Sequence, residues 1–407
     1  RNAAAGNGFT QPISVATGHN DILYVLSRGA EGSDGKALPN TRIGKMTMDH
    51  EFIGDMGHGD LTWPVGLAVD STGTLFCSDE HLNTIFMYDE EGNLADQWGS
   101  KGHDEGEFDG PCGIAFNSDD QLYVVDSGNC RIGIFTKGGE FVGQWGGRGS
   151  GIGQFIDPWG ITIDSSDNVY VADWGNNRIQ KFSSDGTFIL SFGDDLPDTL
   201  GLNRPSDVAV DSEGDVYVVD WGNKRVQIFD CEGDIITGLY GDAHEFSKWA
   251  HEVVQSNPDA LKAYRRVEDT APLARFERPT SVAIDKEDRI IISESTRGRL
   301  QVYEKEKDYI LARFSALQAH HDRGHKGISI DLWEKIKRVC FNYEIVVSAE
   351  NNVSHQIDPW DLHHVLAFSK LLISDSQTMT VEGAVLGIPS VKVNSFKDMS
   401  SVIKELE

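Results

Sequence analysis

The stretch Pro158-Trp-Gly-Ile-Thr-Ile-Asp164, continued after a polar turn by Asp173-Trp-Gly-Asn-Asn-Arg178-Ile-Gln-Lys-Phe182, decides the fold because the chain repeats it. Its opening recurs as Pro64-Val-Gly-Leu-Ala-Val-Asp70, Pro111-Cys-Gly-Ile-Ala-Phe-Asn117 and Pro205-Ser-Asp-Val-Ala-Val-Asp211, with successive prolines 47 residues apart. A further unit begins at Pro279 and a degenerate one at Pro12, making six. The longer intervals of 52 and 74 residues imply insertions near 29–41 and 242–275. A fixed period of this length marks a repeat architecture.

Within a unit the opening stretch is followed by Leu122-Tyr-Val-Val-Asp126, Arg131-Ile-Gly-Ile-Phe135 and Phe141-Val-Gly-Gln-Trp145-Gly, each separated by turn residues. Short β-branched and aromatic runs bounded by Gly, Asn and Asp read as strands. Four antiparallel strands per repeat, with no helix between, form a propeller blade whose apolar faces are covered only by its neighbours. The expectation is an all-β six-bladed propeller over residues 1–305. Residues 244–266 have helical spacing and good helix formers, so the insertion near 242–275 is read as helical, either a lid or docking element or a decorated loop. The seams resemble the NHL repeat, most fully at Asp173-Trp-Gly-Asn-Asn-Arg178-Ile-Gln-Lys-Phe182. That resemblance implies the fold and not one function, since propellers host binding modules and enzymes alike.

Asp126/Arg131, Asp173/Arg178, Asp220/Arg225 and Glu294/Arg299 share one spacing, which suits an ion pair pinning the turn between the second and third strands; Thr84 breaks the pattern. Scaffolding repeats its symmetry and a catalytic site breaks it, so these pairs read as structural. The turns opened by Asp70, Asp211 and Asp285 likewise read as turn formers before calcium ligands. Directly after each opening proline stand Ile13, Val65, Cys112, Trp159, Ser206 and Thr280. In the peptide-amidating lyases that this fold resembles, histidines at such positions hold zinc, so no metal site is expected. Trp174 and Trp221 occupy one register in adjacent repeats and Trp159 opens one of those blades. The three serve either blade packing, the commoner use, or an aromatic platform for a sugar ring or a partner's apolar side chain.

The 407 residues carry 36 Lys plus Arg against 64 Asp plus Glu, a net charge of −28. Residues 1–305 hold 25 basic and 50 acidic residues, so the acidity belongs to the repeats and disfavours nucleic acid as a partner. Five cysteines without a C-x-x-C pair indicate neither a disulfide framework nor a zinc knuckle. No apolar run is long enough for a membrane helix and no signal-peptide pattern opens the chain. Compartment stays unassigned on these grounds, with a soluble, cytoplasmic setting favoured by the unpaired thiols.

After Glu304 strands alternate with helices. Tyr309–Phe314, Glu344-Ile-Val-Val-Ser348, Leu371-Leu-Ile-Ser374 and Ser390-Val-Lys-Val393 read as strands, with helices over 330–339, 359–369 and 378–386, the pattern of a parallel α/β sheet. Tyr309–Phe314 also fits the fourth strand of blade six; the α/β assignment is preferred. The backbone amides of Gln377, Thr378 and Met379 and the hydroxyls of Ser376 and Thr378 suit a phosphate, and Glu382 a ribose. The runs 312–327, His363-His364 and Asp375–Glu382 resemble the C-terminal half of a largely uncharacterised archaeal and bacterial family related to GT-B glycosyltransferases and nucleotide-sugar epimerases. By that resemblance Ser376 to Met379 and Glu382 bind a nucleotide sugar, and His320, Asp322 and His325 contact sugar or diphosphate. The Rossmann-like domain, over 306–407, is incomplete by the same measure.

The sequence therefore reads as a binding scaffold: an acidic propeller face for a protein, peptide or glycan, no required cofactor, and an appended nucleotide-sugar-binding-like domain. The alternatives are a glycosyltransferase-related enzyme or subunit, and a metal-dependent propeller lyase or lactonase.

Overall fold

The computed structural model describes residues 8–29, 41–194, 196, 200–243, 251, 254–266, 271–305, 309–314, 334–336, 338, 344–349, 366, 369–374, 379–380, 385, 388 and 390–392. The chain divides into two compact units, Arg1–Glu304 and Lys305–Glu407.

In the first unit each repeat folds as an antiparallel meander. Blades one to five, over residues 12–56, 64–98, 111–146, 161–192 and 205–239, each have four strands; blade six, over 279–303, has three among the described residues. The second strands, such as Leu122–Asp126, Val169–Asp173 and Val216–Asp220, are buried throughout. Their side chains alternate between the two faces of the blade, so Val169 and Val171 join a core with blade three while Tyr170 and Ala172 join one with blade five. Every neighbouring pair has such a cluster, including blades six and one, where Ile291 packs with Val15, Leu23 and Val25. Six interfaces between six blades close the ring. The first strands of all six line one axial channel, which makes the unit a six-bladed β-propeller.

The acid and Arg that recur at fixed spacing do more than pin a turn. Asp173 Oδ2 accepts from Arg178 Nε at 2.9 Å and Asn176 Nδ2 at 2.8 Å, while Oδ1 accepts from the backbone of Ile156, 17 residues earlier, at 2.9 Å. Arg178 then donates to the carbonyls of Gly151 and Gln154 in the same incoming loop. Asp126, Asp220 and Glu294 repeat the arrangement with Arg131, Arg225 and Arg299, each accepting from a backbone amide 17 residues earlier. Blade two lacks the Arg. There Asp79 accepts from four backbone amides, those of Thr62, Trp63, His81 and Leu82. The carboxylate thus fastens the loop arriving from the preceding blade.

Blades five and six are separated by described helices at Pro258–Tyr264 and Ala271–Ala274. Residues 244–250 of the insertion lie outside the described residues, as do 30–40.

In the second unit Tyr309–Phe314 pairs in parallel with Glu344–Ala349 on one side and Leu371–Ser374 on the other, and the latter pairs in parallel with Ser390–Lys392. The segment that suited two sheets therefore belongs to the parallel one, and blade six is completed by no such strand among the described residues. The described residues of the chain are mostly β; helical positions in this unit are 334–336, 338, 366, 379–380 and 385. Leu311, Leu366, Leu372 and Met379 form its core. No described helix is long and apolar enough to cross a membrane.

Asp173→Ala leaves the buried Arg178 charge without its carboxylate and Arg178 Nε and the Ile156 amide without an acceptor, and is expected to cost about 3–5 kcal/mol in urea unfolding. Asp173→Ala combined with Arg178→Met should cost less than the two single changes summed, because neither charge is then left alone.

Candidate functional site

Where a first strand begins its second strand ends: Pro64 pairs with Asp79, Pro111 with Asp126, Pro205 with Asp220 and Pro279 with Glu294. Three register positions, the residues on either side of the proline and the one after the acid, therefore gather at one end of each blade near the axis. There they surround a cavity of about 440 Å³ at the channel mouth. Trp159, Trp174 and Trp221 all line it, joined by Trp63, Arg28 and Arg278. Trp174 and Trp221 open short 3-10 turns directly after Asp173 and Asp220, and the left-handed residues Asn177 and Lys224 return the chain to the third strand. All four indoles are half-buried. Trp159 also packs against the core between blades three and four, so packing and cavity lining are not exclusive.

Three of these indoles carry a guanidinium: Arg28 lies 4.4 Å from the Trp63 ring centre, Arg204 4.8 Å from Trp174, and Arg278 5.6 Å from Trp221. Arg204 has φ 55°, a left-handed conformation before a proline that Gln11 and Asp157 share at the same register. Sequence reasoning missed Trp63, Arg28 and Arg278. The signal for two of them lies in the residue preceding the proline, which is Trp63, Arg204 or Arg278 in three blades, rather than in the residue following it.

Below the mouth the channel narrows onto the second residue after each proline: Ser14, Gly66, Gly113, Gly160, Asp207 and Ser281. Glycine is needed where neighbouring first strands touch. A Cβ on Gly113 would meet the Trp159 carbonyl at 2.6 Å, and one on Gly160 would meet Asp207 Oδ1 at 2.5 Å. Asp207 is the one charged side chain among the described channel-lining residues. Its Oδ1 accepts from Val208 N at 3.0 Å and its Oδ2 from Val282 N in blade six at 3.0 Å. Ser281 also donates to it, and Ser281 Oγ accepts from Val15 N in blade one at 3.3 Å. Burial pushes this carboxyl from 3.8 up to about 7 against those hydrogen bonds. A symmetry-breaking acid was legible by the same repeat comparison and was not singled out.

No histidine is among the described residues lining mouth or channel. The acidic turns spend their oxygens locally: Asp70, Asp211 and Asp285 each accept from amides two and four residues on. Asp211, Glu213 and Asp215 bring ligand atoms within 4.8 Å of one another, but Asp211 is engaged by its own turn and by Tyr217 Oη at 3.0 Å. Cys77, Cys112, Cys130 and Cys231 are free thiols.

Of the residues read as a nucleotide-sugar site, Ser376, Gln377, Thr378 and Glu382 lie outside the described residues, as do His320, Asp322 and His325. Met379 is described, and its side chain is buried in the core of the second unit.

Residues 108–135, 155–182 and 202–229 match the NHL repeat. The chain thus carries NHL repeats in a six-bladed propeller. No curated protein sequence matches it. Among solved structures it is similar to a protein of unknown function from Bacteroides thetaiotaomicron, at 18% identity and a TM-score of 0.50, covering 73% of this chain and 70% of that one. A gluconolactonase from Xanthomonas campestris aligns at 13% identity and a TM-score of 0.49 over 73% and 86% of the two chains. A streptogramin B lyase aligns at 14% identity and a TM-score of 0.47 over 74% and 85%. At such identities the likeness is one of fold.

The raised Asp207 carboxyl fixes the sign of one pH dependence. The unfolded chain ionises this group near its ordinary 3.8 and the folded one near 7, so the fold binds the extra proton between these values. Its contribution to stability therefore falls as pH rises from about 4 to about 7 and is flat above. Asp207→Asn should flatten that part of the stability profile relative to wild type, at an overall cost of about 1–3 kcal/mol because the amide nitrogen cannot accept a backbone N–H. Unfolding midpoints measured from pH 4 to pH 8 check both.

Proposed function

We propose that the propeller is a binding module that takes a group of a protein, peptide or glycan into the tryptophan-lined mouth of its channel. The observation that carries this reading is the convergence of four indoles, from blades two, four and five, on one cavity of about 440 Å³. A pocket of this size with aromatic walls and a few polar groups suits a ligand ring or an apolar side chain. Trp159 sits where the other blades carry Ile13, Val65, Cys112, Ser206 and Thr280, and Trp174 and Trp221 sit where they carry Arg28, Glu80, Ser127 and Ser295. Lyase or lactonase chemistry would call for a converging base and metal ligands. The lining of this mouth consists mainly of indoles, guanidiniums, hydroxyls and aliphatic side chains.

A second proposal concerns the second unit. Its four strands lie in the order second, first, third, fourth, so the connections leaving the adjacent first and third strands run in opposite directions. Ligands of open parallel sheets gather where that reversal occurs, outside the carboxyl ends of the strands. Residues 375–378 follow the carboxyl end of Leu371–Ser374, and His320, Asp322 and His325 follow that of Tyr309–Phe314. This order supports, as a proposal, a phosphate or nucleotide-sugar ligand held by Ser376 to Met379 and Glu382. A nucleoside diphosphate should then raise the melting temperature of the chain, and Glu382→Ala should abolish the shift; no shift with any nucleotide removes the proposal.

For the mouth, Trp174→Ala and Trp221→Ala should each weaken ligand binding by about tenfold or more, read by tryptophan fluorescence, with a cooperative melt retained. Loss of the folded state in both variants would instead make the indoles packing residues.

A further inference from the structure

The charge of the mouth runs against the charge of the disc. Residues 1–305 carry 50 acidic and 25 basic residues, yet no Asp or Glu is among the described residues lining the mouth, while Arg28 and Arg278 are. Arg28 is held in place: its Nε and Nη2 donate to the Pro64 carbonyl at 3.1 and 3.0 Å, and Glu80 approaches only to 4.0 Å. Arg278 is exposed and makes no ion pair among the described residues. It also lines an adjoining cavity of about 540 Å³ on the same face, with Trp221 and Lys224. The nearest acid there, Glu277, is occupied by Lys224 at 3.0 Å and Arg297 at 3.7 Å.

We propose that the mouth recognises a carboxylate-bearing glycan, with its sugar ring on an indole and its acid on a guanidinium; this rests on the reading of the mouth as a binding site. Arg28 lies over the Trp63 ring and Arg278 over the Trp221 ring, so two planar cationic forks stand at the mouth while Trp159, with no guanidinium over it among the described residues, offers its face to a sugar ring. A guanidinium matches a carboxylate with two parallel hydrogen bonds, which an ammonium cannot do. A pyranose acid joins its carboxylate directly to a ring, so engaging the fork brings the ring's C–H face over a neighbouring indole. Hydroxyl-bearing Ser206, Thr280, Ser295 and Thr296 complete the wall. An acidic peptide can satisfy the forks, but its flexible acid side chains leave the indole faces uncovered. The surrounding acidity does not veto an anion, because at physiological salt exposed charges are screened within about 8 Å and the short-range fork decides.

The full chain is titrated with oligosaccharides ending in uronate or sialate, the same oligosaccharides with the carboxyl reduced to the alcohol, and glutamate-rich peptides of equal charge, following tryptophan fluorescence. The acidic sugars are expected to bind, their reduced forms about tenfold or more weakly. Arg278→Gln, at an exposed site, should erase that difference while the protein stays folded, and Arg278→Lys should restore it only in part. Equal binding of acidic and reduced sugars would overturn the proposal while leaving the mouth a binding site. Tighter binding of the peptides would overturn the glycan class. Binding of none of these probes would overturn the proposal, and persistence of any binding in Trp174→Ala and Trp221→Ala would move the site elsewhere.

Discussion

A buried carboxylate at the end of the second strand, present in blades two to six, is the interaction on which the propeller depends. Meanders with apolar faces on both sides have no reason to stop at one neighbour or to meet it at a fixed angle, because hydrophobic contact is not directional. The acid supplies the direction. One oxygen of Asp126, Asp173, Asp220 and Glu294 takes the amide of the incoming loop and the other takes the following Arg, whose remaining donors return to that loop. Each of blades three to six is thereby indexed to the one before it, and Asp79 alone does this for blade two. Burial pushes the Asp173 and Asp220 carboxyls above the usual range even so, which marks how much desolvation these hydrogen bonds and guanidiniums must offset.

The same constraint creates the mouth. Because the acid lies opposite the opening proline, whatever follows it projects at the end of the blade nearest the axis. The positions next to this recurring clamp are then free to vary between blades, and there the chain places its indoles and guanidiniums. Scaffold and site are adjacent in sequence and differ in that one repeats and the other does not.

This explains what could be read without coordinates. Six prolines in register announce six blades, and an acid with an Arg five residues on announces the clamp, because both are periodic. Trp159, Trp174 and Trp221 were accessible as departures from period. Trp63 and Arg278 were not found because they precede the proline, outside the apolar run that draws the eye, and Asp207 because it stands in a run otherwise like its neighbours. The Arg of the clamp hid its longer reach: sequence spacing shows the carboxylate five residues away but not carbonyls 24 residues back, such as that of Gln154. Tyr309–Phe314 was ambiguous for a physical reason, since a short apolar strand carries no mark of parallel or antiparallel partners.

The ring of small residues at the channel's waist has an asymmetry of its own. Glycines stand in blades two, three and four, where Gly113 N donates directly to the Trp159 carbonyl at 2.9 Å. Ser14, Asp207 and Ser281 stand consecutively in blades one, five and six, and there side chains make the crossing, as when Thr280 Oγ1 donates to the Pro12 carbonyl at 3.0 Å. The seam between blades three and four is therefore joined main chain to main chain, whereas Ser78 Oγ makes the crossing from blade two to blade three, and hydroxyl and carboxyl groups make those of the second half, from blade five through six to one. The second half contains the junction of first and last blades, which no peptide bond spans. The molecule has a weld at one seam and clasps at several others, and evolution can retune the clasps by single substitutions without touching the path of the backbone.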